Sequence, residues 1–408
     1  MPELLAKVGL AISLAAVMAK STLSYYVKGP RCAKWPLWFQ LQRDAIHRAI
    51  YTKPKGQPTD ETIDQIDFEK VAAENRKWDL PTSQLPSDIG TYERISIKVS
   101  QVQINPVEAF SGTGAAESGL LALSEADRTA SGMNREISAE LTVPASLKRP
   151  SDTTLDVFAC HPLADGEKIV LYLHGGAYKF GSAASHRALV GRIANHASVR
   201  CVTIDYRLAP LHPYPAQLHD AHTAFWHLVQ MGFRAEDIVV AGDSAGGNLA
   251  LSLTVLLRHT GHCTRGLLLL SPWVDLTTER PSIQRNAKYD FLCAPPLESP
   301  LNPARTFYAP GRPLSPEMIT EMAHPLVSPV YADFAKFPPT LIQAGEKEII
   351  IDEISQLYEN IAAHNPNAKH GRYVYECYAD MIHVFHQFLD LPDAQYAIAK
   401  AGEFIKAL

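Results

Sequence analysis

The sequence lacks the patterns that identify several large classes of protein. None of its six cysteines belongs to a Cys-x-x-Cys pair or has the spacing of a metal site, and no Asn-x-Ser/Thr glycosylation acceptor occurs. The net charge of −5 and the absence of a DNA- or RNA-binding motif argue against a nucleic-acid partner. We therefore expect a protein of a reducing interior, in the cytoplasm rather than secreted.

A hydrophobic run long enough to cross a bilayer is also missing near the N-terminus. Residues 8–19 are mostly apolar, but twelve residues fall short of the about 20 that a spanning helix needs. Residues 1–59 carry nine Lys or Arg residues against two acidic ones, and aromatic residues follow the run. Three alternatives remain open: a helix packed on the protein as part of a cap, peripheral membrane contact through residues 1–40, or a signal peptide.

What the chain does have is the alternation of a large α/β protein. With 408 residues, 46% hydrophobic and 20% charged, it can bury a large core. Continuous apolar runs that alternate with helical patterns predict a mostly parallel sheet with helices on both faces. The predicted strands are 94–104, 137–143, 155–160, 169–173, 199–204, 238–241, 267–270, 341–344 and 373–378, and the predicted helices include 185–197, 215–231 and 353–363.

Two segments depart from this alternation. Residues 1–90 are basic and then helical in pattern, and we expect them to contribute to a cap or to a membrane contact. Residues 91–408 would form the catalytic domain, with a proline-rich cap insertion at about 276–337 above the strand ends. The Ser-, Gly- and Ala-rich residues 111–133 are expected to form a surface loop.

One motif organises the rest of the chain. Gly242-Asp243-Ser244-Ala245-Gly246 lies between an apolar strand and a helical pattern, and it fits the Gly-x-Ser-x-Gly nucleophile elbow. A sharp turn from strand to helix strains its middle residue and requires small flanking residues. The motif predicts that Ser244 is a nucleophile at a helix N-terminus.

A serine nucleophile needs a base and an acid that orients it, and both should follow later strands. His383 comes shortly after the strand at 373–378, and we favour it over His386 as the base. Glu348 and Asp352 follow the strand at 341–344, and either could accept a hydrogen bond from His383 or cap the next helix.

A site of this kind also needs donors for the oxyanion of the transition state. We expect them from the backbone N–H of Ala245 and from the loop His174-Gly175-Gly176-Ala177-Tyr178, where glycines leave the backbone accessible. Tyr178 is the residue of this loop that we expect near the substrate.

With these motifs in place, the chain resembles the hormone-sensitive-lipase family of α/β-hydrolases over about residues 160–405. By this resemblance Ser244 is the nucleophile, His383 the base, Glu348 the acid, and Gly175, Gly176 and Ala245 the oxyanion donors. The family usually has aspartate at the position of Glu348 and glycine at that of Ala177. The residues that carry the resemblance are His174-Gly175-Gly176, Asp205-Tyr206-Arg207-Leu208-Ala209-Pro210, His212-Pro213, Gly242–Gly247, Ser271-Pro272-Trp273, Pro338-Pro339-Thr340 and His383.

The resemblance implies an α/β-hydrolase fold and a serine carboxylic-ester hydrolase that needs no metal or organic cofactor. We expect a small-molecule substrate, an ester with a short acyl group on an apolar alcohol. Two alternatives use the same fold: a non-hydrolytic enzyme such as a cyclase or acyl transferase, and a ligand-binding receptor.

Overall fold

The computed structural model describes residues 2–50, 79, 81, 91–99, 134–147, 160–277, 280–292 and 295–408. The predicted loop at 111–133, the predicted strand at 155–160 apart from Cys160, and most of the helical pattern at 60–90 lie outside the described residues.

The described residues contain one eight-stranded sheet in the order β1-β2-β4-β3-β5-β6-β7-β8. β2 pairs antiparallel with β1 and β4, and every other neighbouring pair is parallel. The predicted mostly parallel α/β-hydrolase sheet is thereby confirmed. The strands are β1 (Thr91–Lys98), β2 (Glu136–Val143), β3 (Ile169–Leu173), β4 (Arg200–Ile204), β5 (Ile238–Asp243), β6 (Gly266–Leu270), β7 (Thr340–Gly345) and β8 (Tyr373–Tyr378).

Ten α-helices accompany the sheet in the described part of the chain. They are α1 (Pro2–Lys28), α2 (Leu37–Ile50), α3 (Ala183–Ala197), α4 (Ala216–Gln230), α5 (Ala245–His259), α6 (Pro281–Asn286), α7 (Pro303–Tyr308), α8 (Pro316–Met322), α9 (Ile351–His364) and α10 (Pro392–Ala407). The short helices α6, α7 and α8 lie in the proline-rich insertion between β6 and β7, each with proline in its first turn.

Side chains of successive strand residues point to opposite faces of the sheet, and β3 shows how this builds two cores. Its residues Ile169, Leu171 and Leu173 pack with apolar residues of α4, α5 and α9. Val170 and Tyr172 pack on the other face with residues of α3 and α10. Because both faces are covered, the strand is apolar throughout, which is the pattern that made it predictable.

The N-terminal helices pack on the C-terminal part of the chain. α1 packs against α2, where Gln40 donates to Ser21 Oγ at 3.1 Å. The residues between and within these helices join a separate apolar cluster, which we call the N-terminal cluster. Its members include Cys32, Trp35, Phe39, Met381, Ile382, Phe385, Leu391, Ala394 and Ala397. No helix among the described residues is long and apolar enough to traverse a lipid bilayer.

Candidate active site

Ser244 lies at the junction of β5 and α5 in the strained backbone that the motif predicts. Its φ and ψ are 52° and −121°, a conformation that costs an L-residue about 1–3 kcal/mol. A Cβ on Gly242 would lie 2.3 Å from the carbonyl oxygen of Gly246, and one on Gly246 would lie 2.0 Å from that of Leu173. Only glycine therefore allows these segments to approach, and the sharp turn leaves Ser244 partly exposed.

His383 reaches Ser244 from the loop after β8. Its Nε2 lies 2.8 Å from Ser244 Oγ, and its Nδ1 lies 2.9 Å from Glu348 Oε2. Burial alone would lower the pKa of His383, but the hydrogen bond and charge of Glu348, with the charges of Asp290 and Asp243, raise it above the ordinary value. The arrangement therefore favours the imidazolium form that arises when His383 accepts a proton.

Glu348, in the loop after β7, is fully buried and held by three partners. Besides His383, its carboxylate accepts hydrogen bonds from Ser271 Oγ at 2.6 Å and from the backbone N–H of Gly345. Asp352 lies one helical turn later and faces the insertion, where it accepts from Ser282 N at 2.8 Å and Arg285 Nη2 at 2.5 Å. Of the two candidate acids, Glu348 is the one brought to His383.

His386, the other candidate for the base, lies away from Ser244 and Glu348. His386 is buried, and its Nε2 lies 3.2 Å from Gln343 Oε1 rather than near Ser244. Burial lowers its pKa to about 3, so His386 stays neutral over the ordinary pH range.

The glycine loop after β3 departs from expectation at Gly175. The N–H of Gly175 donates to Asp243 Oδ1 at 3.0 Å, so it is not available to a substrate oxygen, and its assignment as an oxyanion donor is corrected. Glycine is required here for another reason: a Cβ would lie 2.2 Å from Asp243 Oδ2. Gly175 thus fixes the loop to β5.

Other backbone N–H groups near Ser244 have no acceptor in the described part of the chain. No described residue accepts a hydrogen bond from the backbone N–H of Gly176, Ala177 or Ala245. Gly176 and Ala177 have φ values of 122° and 53°, and the turn is closed by Lys179 N, which donates to Gly176 O at 2.9 Å. The sequence predicts Gly176 and Ala245 as donors but not Ala177, because a non-glycine residue in a glycine-rich loop gives no sign that its N–H is accessible.

Asp243 supports this loop and was missed as a functional residue. Its buried carboxylate also accepts from Tyr172 OH at 2.8 Å and lies 3.3 Å from His186 Nε2. Burial alone would raise the pKa of Asp243, but the charge and hydrogen bond of His186 and the hydrogen bond of Tyr172 lower it. The position of Asp243 inside the elbow motif, next to Ser244, could have indicated this supporting role.

Tyr178 packs inside the protein. It is 1% exposed, its hydroxyl donates to Asn248 Oδ1 at 2.6 Å, and its ring stacks on Phe307 with centroids 3.8 Å apart. These contacts join the loop after β3 to helix α7 of the insertion. Contact between Tyr178 and a substrate stays a prediction.

Comparison with known proteins gives the family. A family described as having the alpha/beta hydrolase fold matches residues 170–387. An esterase of Acinetobacter venetianus is 33% identical over 247 residues, which cover 60% of this chain and 77% of that protein. An acetyl-hydrolase of Streptomyces hygroscopicus is 32% identical over 248 residues, with the same coverage of 60% and 77%.

Solved structures agree with this result. The crystal structure of an esterase from the bacterial hormone-sensitive lipase family superposes with a TM-score of 0.61 and 25% sequence identity, covering 90% of this chain and 96% of that one. The family match and the relatives together identify the chain, which belongs to the α/β-hydrolase-fold family, in its hormone-sensitive-lipase branch of carboxylic ester hydrolases.

Proposed function

We propose that Ser244, His383 and Glu348 hydrolyse a carboxylic ester through a covalent acyl-enzyme. The observation that carries the proposal is the continuous hydrogen-bonded chain from Ser244 Oγ through His383 to the buried Glu348. Ser244 Oγ attacks the ester carbonyl carbon while its proton passes to His383 Nε2. His383 then gives this proton to the alcohol oxygen as the bond between that oxygen and the acyl carbon breaks.

Water completes the cycle. A water molecule attacks the acyl carbon, its proton passes to His383 Nε2, and the bond between the acyl carbon and Ser244 Oγ breaks as the serine regains a proton. Glu348 stabilises the imidazolium that exists between these transfers. The N–H groups of Gly176, Ala177 and Ala245 would donate to the oxyanion, and a single such donor is worth about 10²–10³ in turnover.

We propose that the substrate is an ester of a short acid and an apolar alcohol. The Streptomyces hygroscopicus relative is named an acetyl-hydrolase, which supports a short acyl group. Phe180 and Leu211 lie on the loops after β3 and β4 and are 40% and 51% exposed, which provides apolar surface near the carboxyl ends of the strands. Helices α6, α7 and α8 would form the cap of this site, within a catalytic domain that we assign to residues 91–408.

Two measurements test this function. A fluorophosphonate probe followed by peptide mapping should label Ser244, and Ser244→Ala should abolish the labelling. Rates on p-nitrophenyl esters from acetate to palmitate should fall steeply beyond butyrate. A maximum at long chains would favour a lipase, and labelling of Ser244 without turnover of any ester would favour a non-hydrolytic enzyme.

We further propose that helix α1 contacts an anionic membrane surface. The second half of α1 exposes apolar side chains in the segment that carries Lys20 and Lys28, a composition that suits an interfacial helix. The exposed fractions are 42% for Met18, 67% for Leu23, 75% for Tyr26 and 70% for Val27. The described cysteines are all free thiols, which supports a cytoplasmic location for this contact.

Sedimentation with phosphatidylserine–phosphatidylcholine vesicles tests the membrane contact. The protein should bind at low salt, and Tyr26→Ser should weaken binding more than Tyr396→Ser, which removes a ring that is 58% exposed on α10. Equal binding of the two variants, or sedimentation without vesicles, would contradict the proposal.

A further inference from the structure

Asp290 connects the two loops that carry the base and the acid of the proposed site. It lies in the insertion after α6 and is fully buried. Its Oδ2 accepts a hydrogen bond from Ile349 N at 2.8 Å, next to Glu348, and its Oδ1 accepts from His383 N at 3.3 Å. One carboxylate therefore binds the backbone of the loop after β7 and that of the loop after β8.

A bridge at this position bears directly on the geometry of the site. The distance of 2.9 Å between His383 Nδ1 and Glu348 Oε2 depends on how far apart the two loops lie. The insertion also holds the loop after β7 through Asn286, whose amide donates to Glu348 O at 2.7 Å. Asp290 adds the connection from this segment to His383 itself.

Ionisation of the Asp290 carboxyl group is unfavourable in its buried position. Burial, with the charge of Glu348, raises the pKa of Asp290 to about 6, although His383 acts in the opposite direction. A buried group that is costly to ionise must be compensated by its hydrogen bonds. For Asp290 these come from Ile349 N and His383 N in the two loops and, at 3.4 Å, from Leu292 N in its own segment.

Arg43 of α2 fixes the segment in which Asp290 lies. Its buried side chain donates from Nε to Tyr289 O at 2.7 Å and from Nη2 to Asp290 O. Its Nη1 donates to Asp44 Oδ1 at 2.7 Å, and Asp44 also pairs with Arg31. The N-terminal helices thus contact the backbone of residues 289–290 through a single guanidinium.

The same helices contact the other side of the histidine loop. Trp35 Nε1 donates to Asp380 O at 2.6 Å, three residues before His383. Met381 and Ile382 lie in the N-terminal cluster together with Trp35 and Phe39. The loop that carries His383 is therefore held between the insertion and the N-terminal helices.

We propose that Asp290 is a positioning residue of the ester hydrolysis, and that Arg43 acts through it by holding residues 289–290 against the two loops. The inference rests on the proposed roles of His383 and Glu348, and it adds a function for the N-terminal helices. Neither Asp290 nor Arg43 touches the reacting atoms; both set the distance between the base His383 and the acid Glu348.

The first test replaces Asp290 by asparagine, which keeps the shape but places an amide NH₂ against one of the two N–H donors. Asp290→Asn should lower kcat about 10- to 100-fold with KM within about twofold, because misplacement near 1 Å costs up to about 10² in rate. Asp352→Asn is the matched control, since Asp352 also accepts an N–H within the insertion. A kcat for Asp290→Asn equal to that of Asp352→Asn would overturn the proposal.

The second test examines the positioning role through Arg43, and it remains decisive even if Asp290→Asn does not fold. Arg43→Met removes the donors to residues 289–290, and Arg31→Met is its control, because both arginines pair with Asp44 but only Arg43 reaches that segment. We expect kcat to fall about 10-fold for Arg43→Met and to stay unchanged for Arg31→Met. Arg43→Lys should recover part of the lost kcat. Equal kcat in the two methionine variants would exclude a positioning role. An inactive wild-type protein would instead contradict the proposed hydrolysis itself.

Discussion

The hydroxyl of Ser271 donates to Glu348 Oε1 at 2.6 Å from the loop that follows β6. The same hydroxyl accepts a hydrogen bond from Val384 N at 3.1 Å, directly after His383. Ser271 is fully buried and has a φ of 47°, so the backbone is strained to place it there. It therefore links the acid to the loop of the base, on a path separate from that of Asp290.

Ser271→Ala should lower both stability and turnover. It removes a hydrogen bond to a carboxylate, which contributes about 1.5–3 kcal/mol, and leaves Val384 N without this acceptor. We expect a lower melting temperature and a kcat reduced about 10-fold. Ser252→Ala is the control, since no described residue bonds its buried hydroxyl; similar losses in both variants would speak against a specific link.

Glu348→Gln should reduce turnover far more than Asp352→Asn. Loss of the acid of a serine triad costs about 10⁴ in turnover, because the imidazolium is no longer stabilised. Asp352 binds Ser282 N and Arg285, so its replacement should lower the melting temperature and leave kcat nearly unchanged. Rates and melting curves of both variants check this, and a crippled but stably folded Asp352→Asn would reverse the assignment.

The pH dependence of kcat/KM should report the raised pKa of His383. The base must be neutral to accept the serine proton, so the rate falls as pH decreases through this pKa. Because the pKa lies above the ordinary 6.5, the acid limb should have its midpoint above pH 6.5. Residual activity of Glu348→Gln should show a midpoint at lower pH; an unchanged midpoint would mean that another group controls the limb.

Gly176→Ala should impair the proposed oxyanion site. Its φ of 122° is unfavourable for alanine, and the added Cβ would lie 2.2 Å from Phe180 O, so the N–H groups of Gly176 and Ala177 must move. We expect kcat to fall by at least about 10², the value of one donor. Gly261→Ala has a similar positive φ but open space around it, and its kcat should stay at the wild-type level.

The sheet was predictable because burial on both faces leaves a direct mark on the sequence. β3, which is buried throughout, has the bounds that the apolar pattern predicted, and the elbow lies between β5 and α5 as expected. The edge strand β8 also has the predicted bounds, although its residues are only partly buried or exposed. Helix α10 was not predicted, although Pro392 lies in its first turn. Helix α1 extends to Lys28, beyond the apolar run at 8–19, through a segment that mixes polar and apolar residues and contains no proline or glycine.

The site was predictable where one short motif holds a residue, and not where distant segments meet. The role of Ser244 was predictable from the adjacent residues, since the elbow motif is a continuous stretch of five residues. Ser271 and Asp290 act on loops 113 and 93 residues away in the chain, and no local spacing indicates that contact. Gly175 was misassigned because a glycine can serve close packing instead of N–H donation.

The contact between Trp35 and Asp380 joins residues 345 positions apart, and this has a consequence for synthesis of the chain. At about 5–20 residues per second, the ribosome needs roughly 20–70 s to progress from one to the other. During that interval the apolar side chains of Trp35 and Phe39 lack the partners that cover them in the finished protein. We therefore expect the newly made N-terminal helices to expose apolar surface until residues 381–397 have emerged.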